Sequence, residues 1–366
     1  MRLVMAGGGT GGHLFPALAL ADEFKAVDHN TEIIFIGARG RLEEKIVPSF
    51  EYPLEVIEIE AIKNKSGLGW VKALLKAMMA TVRSMKMLRR IKPDGVIGSG
   101  SYASGPVVLA AKILGIKTAL LEQNILPGIT NKFLAKFVNR AYFSFKESEK
   151  LFRSGTRRLS GTPIRREILE CRKKSKSPLK GKRKFTILVF GGSQGATTIN
   201  ATFLDAADYL SDIWNDLRII HQSGAEGYRP SKDAYERKGL SVELHKFIDD
   251  MAEAYSDVDL VVCRAGATSI AEITALGLAS IMMPYPFASA GHQEVNARYL
   301  ESRGAASMIT QEELTASNLS AMIKDFYEDR VKLKGMAEKS AGLGRPQAAR
   351  FIVDDFSALL KGAKRA

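Results

Sequence analysis

Gly7-Gly8-Gly9-Thr10-Gly11-Gly12-His13 and Gly191-Gly192-Ser193-Gln194-Gly195 decide the fold of this 366-residue chain. Each follows an apolar run that reads as a strand, Arg2–Ala6 and Phe185–Phe190, and each leads into a helical pattern. Gly8–Gly12 lies over Gly191–Gly195 without a gap, so the second half of the chain restarts the first. Outward from the first loop, Phe15–Val27 reads as a helix and Glu32–Ile36 as the second strand. Further strands are expected at Val56–Glu60, Gly95–Gly98, Thr118–Leu121 and Ala141–Phe145, with helices between. Beyond the second loop, Leu217–His221, Asp259–Cys263 and Ser280–Met283 alternate with helices in the same way. Strands that alternate with helices build parallel sheets covered on both faces. The expectation is an α/β protein of two Rossmann-like doubly wound domains in tandem, with a cleft between them.

Composition agrees with a globular protein of two cores: 46% of residues are hydrophobic and 25% charged. The opening apolar run is shorter than a secretory signal needs, and no run approaches the ~20 residues that span a bilayer. Cys171 and Cys263 stand far apart with no motif spacing, which suits a reducing compartment. The expectation is a protein that stays inside the cell. The net charge of +13 is local. Segments 70–92 and 171–184 hold seven and eight Lys/Arg and no acid, more than the whole net charge. Segment 171–184, with Pro and Gly among its like charges, reads as a solvated linker. In segment 70–92, Val71, Leu74, Leu75, Met78, Val82 and Met85 recur at helical spacing and read as a core face. Lys72, Lys76, Arg83 and Arg90 lie beside that face, with Trp70, Met79 and Met87 off it. A surface of that chemistry suits anionic lipid. Nothing interleaves aromatics with the charge as a nucleic-acid site would, so no nucleic-acid partner is expected.

The first loop can be read as G-x-G-x-x-G, whose glycines let a backbone approach a phosphate at a helix N-terminus. A dinucleotide site would also carry an acid at the end of the second strand, and Ile36-Gly37-Ala38-Arg39 has none there. More loops end strands in the same manner: Gly98–Pro106, Cys263–Ser269 leading into a helix with Glu272, and Pro284–Gly291 before His292-Gln293. These are the strand ends where open α/β sheets bind ligands. Asp257-Val258-Asp259 has the spelling of a metal-binding pair but sits just before Leu260-Val261-Val262, where a loop-to-strand cap is expected. His13 closes the first loop. An imidazole, with an ordinary pKa of about 6.5, suits a general base. The same residue could instead open the helix by binding a phosphate or a neighbouring carbonyl. Glu122 is the rival base. His29, His221 and His245 show no ligand spacing and read as structural or exposed, and His292 is given no chemistry.

The series G-G-G-T-G-G-H (7–13), G-S-Y-A-S-G-P (100–106), E-Q-N (122–124), G-T-P-I-R (161–165), G-G-S-Q-G-A (191–196), F-I-D-D-M (247–251) and C-R-A-G-A-T-S-I-A-E (263–272) resembles the MurG family. These are bacterial peptidoglycan glycosyltransferases that move N-acetylglucosamine from UDP-N-acetylglucosamine to undecaprenyl-diphosphate-muramoyl-pentapeptide, lipid I. The resemblance implies a GT-B arrangement. Residues 1–165 with 346–366 would form an acceptor and membrane-facing domain, and 166–345 a UDP-sugar donor domain. It implies inverting transfer to the muramoyl 4-hydroxyl, giving β-1,4-linked lipid II and UDP. Ile248 would meet uracil through its backbone and Glu272 the ribose. Ser193 and the turn Ala267, Thr268, Ser269, with Ile270 and Ala271, would hold the diphosphate together with Arg165. Gln293 would read sugar hydroxyls, and Thr10, Gly11, Gly12 and Asn124 would close over the donor. His13 and Glu122 are the candidate catalytic residues. No metal ligand and no cofactor is implied, and cell-wall synthesis proteins join lipid I and an anionic membrane surface as implied partners. The implied location is peripheral, on the cytoplasmic face of the cell membrane. Leu121 stands where the family usually has His, Ser101 where it has Gly, and Ala290-Gly291 where a polar pair is commoner. Three other readings stay open: a lipid glycosyltransferase acting on diacylglycerol, a nicotinamide-dependent oxidoreductase, and a non-catalytic membrane adaptor.

Overall fold

The computed structural model describes residues 1–59, 68–152, 154–174, 183–192 and 195–364. The chain forms two compact units, Met1–Arg165 with Pro346–Ala366, and Arg166–Arg345.

The first unit is built on parallel strands β1 (Arg2–Gly7), β2 (Glu32–Ala38), β3 (Leu54–Ile57), β4 (Gly95–Gly100), β5 (Lys117–Glu122), β6 (Arg140–Phe143) and β7 (Arg157–Leu159). Their order is β3-β2-β1-β4-β5-β6-β7. Helices α1 (Gly11–Val27), α2 (Glu43–Ser49), α3 (Leu68–Ile91), α4 (Ser101–Ile113) and α5 (Ile129–Leu134) connect them. The strand order reverses between β1 and β4, and such a reversal opens a crevice at the strand ends. The glycine loops after β1 and after β4 flank it.

The second unit repeats the plan. Helix α6 (Arg166–Lys174) precedes strands β8 (Phe185–Phe190), β9 (Leu217–Gln222), β10 (Glu243–His245), β11 (Leu260–Cys263), β12 (Ala279–Met282) and β13 (Ser307–Met308). They order as β10-β9-β8-β11-β12-β13 and all pair in parallel. The helices are α7 (Thr197–Tyr209), α8 (Ala225–Arg237), α9 (Met251–Ser256), α10 (Ala267–Leu276), α11 (His292–Glu301), α12 (Ala316–Glu328) and α13 (Arg330–Leu343). Here the reversal falls between β8 and β11, so the loops after Phe190 and Cys263 flank the second crevice. The chain ends in α14 (Ala348–Lys364), which returns to the first unit. Ile352, Val353, Phe356 and Leu360 of α14 pack with α1 and β1 in one apolar core. Asp355 on the same helix accepts hydrogen bonds from Arg140 Nε at 2.7 Å, Tyr142 Oη at 2.7 Å and Arg158 Nε at 3.2 Å.

Three expectations are corrected. In α3 the buried line is Ala80, Ser84, Leu88 and Ile91, whereas Leu75, Met78 and Val82 of the presumed core face are between 53% and 58% exposed. Small Ala80 and Ser84 let α3 settle closely on its neighbour, and the period alone does not say which of two stripes turns inward. The side chains of Trp70, Val71, Lys72 and Leu74 lie outside the described residues. The presumed linker begins as helix: Cys171–Lys174 continue α6 and Cys171 is buried, while residues 175–182 lie outside the described residues. The third strand runs two residues earlier than Val56, from Leu54. Asp259 is the loop-to-strand residue expected of it. Its carboxylate accepts from Thr186 N at 2.8 Å and Arg183 Nη2 at 2.7 Å, at the end of the strands opposite the glycine loops.

Candidate functional site

In the first unit, Thr10 precedes α1, and the turn closes through His13 N–H and Leu14 N–H to Thr10 O. The Thr10 side chain makes no capping hydrogen bond to this helix end. Gly11 is half-buried, and Thr10 and Gly12 are exposed. The His13 ring lies over Gly100, where an added Cβ would stand 2.6 Å from Nδ1, and Gly100 holds φ +107°. Only glycine fits that position. His13 Nδ1 is 3.0 Å from the Ser99 carbonyl, the neighbouring-carbonyl bond that the sequence left open. A carbonyl only accepts, so the proton sits on Nδ1 and the lone pair of the neutral ring on Nε2.

Glu43 explains how the first loop is held. Its carboxylate is fully buried and accepts from Gly9 N at 2.6 Å and Ala38 N at 2.8 Å. This carboxylate, delivered from α2, fills the space beneath Gly8 and Gly37. No local pattern marked it, because an acid opening a short helix reads as an ordinary first-turn residue.

Glu122 is buried at the end of β5. It accepts from Asn124 N at 3.0 Å, Asn124 Nδ2 at 3.4 Å, Gly128 N at 3.3 Å and Asn131 Nδ2 at 2.9 Å. Burial pushes its carboxyl up, while these bonds pull it down less strongly. This carboxylate is the anchor of the loop that carries half-buried Asn124. Arg165 places its guanidinium over the Phe15 ring at 4.8 Å, on the first helix.

In the second unit, Ser193 lies outside the described residues. Around it the loop is pinned by Gln222, whose Nε2 donates to Gly192 O at 2.9 Å and whose Oε1 accepts from Ile248 N at 2.8 Å. Ile248 N–H is thus engaged with Gln222. Gly195 has φ +79°, and a Cβ there would meet Ser223 O at 2.2 Å. The Ser223 carbonyl in turn accepts from Asn200 Nδ2 at 2.8 Å. Gly266 caps helix α10 without a side chain, and Thr268, Ser269 and Ala271 are half-buried in its first turns. A helix N-terminus binds anions through backbone N–H groups and the helix dipole. Ala267 and Ile270 are buried, and Glu272 is buried one turn on, where Oε2 accepts from Tyr255 Oη at 3.1 Å. Gln293 Oε1 accepts from Tyr285 N at 2.9 Å, which turns its amide nitrogen outward from that bond. Buried Arg264 donates to Met283 O and Pro284 O, both at 3.0 Å, and braces the same loop. Burial pushes the Cys263 thiol up to about 12, so it stays protonated and unreactive. Glu43, Asn200 and Gln222 escaped sequence reading, and Gln123 and Arg264 stood inside the motif series with no role given; a polar amide at the end of a strand, His221-Gln222-Ser223, was a signal for Gln222.

Two family models match in succession. The glycosyltransferase family 28 N-terminal domain covers residues 3–143, and its C-terminal domain covers residues 186–352. The chain belongs to glycosyltransferase family 28. A curated UDP-N-acetylglucosamine–N-acetylmuramyl-(pentapeptide) pyrophosphoryl-undecaprenol N-acetylglucosamine transferase of Myxococcus xanthus is 43% identical over 354 residues, 97% of this chain and 92% of that one. The protein of the same name from Syntrophus aciditrophicus is 43% identical over 363 residues, 99% of each chain. The crystal structure of Acinetobacter baumannii MurG superposes with a TM-score of 0.76 at 28% identity, covering 96% of this chain and 98% of that one. The GT-B arrangement of two Rossmann-like domains is therefore the fold of this family 28 glycosyltransferase. Its departures from the family pattern have plain structural readings. Leu121 packs in the apolar core. Ser101 has φ +73° and Ala290 φ +56°, left-handed positions where glycine would be relaxed.

Proposed function

We propose that this glycosyltransferase moves N-acetylglucosamine from UDP-N-acetylglucosamine to the muramoyl 4-hydroxyl of lipid I, giving β-1,4-linked lipid II and UDP with inversion. The observation that carries the reading is the near full-length match, at 43% identity, to transferases named for that reaction.

The second unit holds the donor. Glu272 takes the ribose hydroxyls, Ile248 the uracil, Gln293 the sugar, and the Ser193 loop with the α10 N-terminus takes the diphosphate. Leaving-group charge grows on that diphosphate as the glycosidic bond breaks, and oriented backbone N–H groups stabilise it without reorganisation. No metal is required by this scheme; Asp259 of the Asp-x-Asp spelling is committed to Thr186 and Arg183. The first unit carries Thr10, Gly11, Gly12, Asn124 and Arg165 as further substrate-binding residues and offers His13 to the acceptor. The muramoyl hydroxyl attacks the anomeric carbon, its proton passes to Nε2 of His13, and UDP departs. Glu122, with four donors around it, serves the loop instead of the proton.

The acceptor is a lipid, and α3 supports peripheral attachment at the cytoplasmic face of the membrane. Leu75, Met78, Met79 and Val82 are exposed beside Lys76, Arg83, Lys86, Arg89 and Arg90. Ile129, Phe133 and Phe137 add a second exposed apolar line, with Lys132 and Lys136 between. Among the described residues no helix is long and apolar enough to cross a membrane.

The test is transfer of labelled sugar to a soluble-tailed lipid I analogue, with EDTA and UDP-glucose as controls. Transfer that survives EDTA and prefers the N-acetyl donor supports the reading. UDP-sugar binding without transfer sends the acceptor assignment elsewhere. In His13→Ala, kcat is expected to fall at least about a hundredfold with donor affinity held; a near-normal kcat removes His13 from the role.

A further inference from the structure

The Ser99 carbonyl, at the end of β4, accepts two hydrogen bonds, from His13 Nδ1 at 3.0 Å and from Gln123 Nε2 at 3.0 Å. Gln123 is buried behind the site on the loop after β5. Its amide has one workable orientation, because the flipped form would set oxygen against oxygen. That orientation leaves Gln123 Oε1 buried with no hydrogen-bond partner among the described residues. An apolar side chain of the same shape would avoid that loss. What the amide supplies in return is its N–H to the carbonyl. That carbonyl precedes Gly100, the residue at φ +107° on which the His13 ring rests, so the peptide between them has the freedom to turn.

We propose that Gln123 is a positioning residue of the transfer reaction: by holding the Ser99 carbonyl it keeps His13 in the Nδ1–H tautomer, with Nε2 as the proton-accepting atom. The proposal rests on the reading of His13 as the base. With the carbonyl released, the ring drifts towards the Nε2–H form that an unconstrained imidazole prefers, and Nε2 then has no lone pair for the muramoyl hydroxyl proton.

The experiment uses the full-length protein labelled with ¹⁵N-histidine, whose five imidazoles are few enough to resolve. The His13 pair is assigned by its loss in His13→Gln. At a pH where the ring is neutral, wild type is expected to show a protonated Nδ1 and an unprotonated Nε2. In Gln123→Met, near-isosteric without the donor, the two resonances are expected to move towards each other or exchange. With the soluble lipid I analogue, kcat is expected to drop at least tenfold and KM for UDP-N-acetylglucosamine to stay within twofold. Gln123→Leu, smaller than methionine and likewise without a donor, is expected to do the same and covers the case in which the methionine variant does not fold. A wild-type His13 protonated on Nε2, or an unchanged His13 pattern in a folded variant, overturns the proposal. So does a tautomer change without loss of kcat. A His13→Gln enzyme with full activity sinks the base assignment, while the tautomer measurement still reports on the Gln123 clamp separately.

Discussion

Lowering the pH from 7.5 to 4 is expected to remove about 3 kcal/mol from the second unit through one imidazole. His221 is fully buried in β9, its Nε2 donating to Asn200 Oδ1 at 3.1 Å and its Nδ1 accepting from Tyr235 Oη at 2.9 Å. Burial pushes its pKa down to about 4. An unfolded histidine titrates near 6.5. Between those values the unfolded chain binds a proton that the native one refuses, so stability is full above pH 6.5 and declines as the pH falls towards 4. Linkage gives a loss of about 2 kcal/mol at pH 5 and about 3 kcal/mol at pH 4. The assay is urea unfolding followed by Trp214, which lies in the core of the second unit. A Trp70→Phe background makes it the sole tryptophan of the two in the chain. His221→Gln stays neutral at every pH, and the carboxylates common to both proteins cancel in the comparison. Equal losses of stability in the two proteins from pH 7.5 to 4 would refute the reasoning.

Asp355→Asn is expected to cost about 2 kcal/mol, since hydrogen bonds to a charged group are each worth roughly 1.5–3 kcal/mol and part of the network survives. Burial works against the Asp355 charge, but the bonds from Tyr142, Arg140 and Arg158 outweigh it and hold the carboxyl below its ordinary range. Its contribution is therefore present above the ordinary carboxylate pKa and lost as the pH falls through the lowered one, which urea melts of both proteins across that window will read. Ser101→Gly relieves a left-handed strain of about 1 kcal/mol, less the entropy glycine adds to the unfolded chain, and a Tm rise of about 1–2 °C is expected by thermal melting. The double change Met78→Glu with Met79→Glu touches exposed positions, so stability is expected to hold within about 0.5 kcal/mol. Flotation with anionic vesicles should nonetheless fall at least about tenfold, from lost apolar burial and added repulsion; unchanged flotation would remove α3 from the membrane contact.

The two glycine loops, the strands before them and the helices after them were legible in the sequence because their signals are local. An apolar run, a turn that demands glycine and a helical period all act within a dozen residues. The same locality explains what could not be read. Strands β7, β10 and β13 span three, three and two residues, too short to carry a period. In α3 the sequence held two stripes, and only packing against the rest of the unit, chiefly α4, chose the small one, Ala80 and Ser84, to face inward.

For the site, the sequence by itself determined which residues stand at the strand ends: His13, Asn124, Arg165, Thr268, Glu272 and Gln293 each lie on or beside a loop whose position follows from strand order. Tertiary structure alone decided what holds them. Glu43 reaches Gly9 across 34 residues, Gln123 reaches Ser99 across 24, and Gln222 reaches Gly192 and Ile248 across 30 and 26. Each is a polar side chain buried among backbone groups, and its partner is set by where distant strands come to lie side by side. A sequence read in order names the donors and acceptors, but the pairing between them is a property of the folded sheet, where a buried group must find whichever partner the neighbouring strand presents.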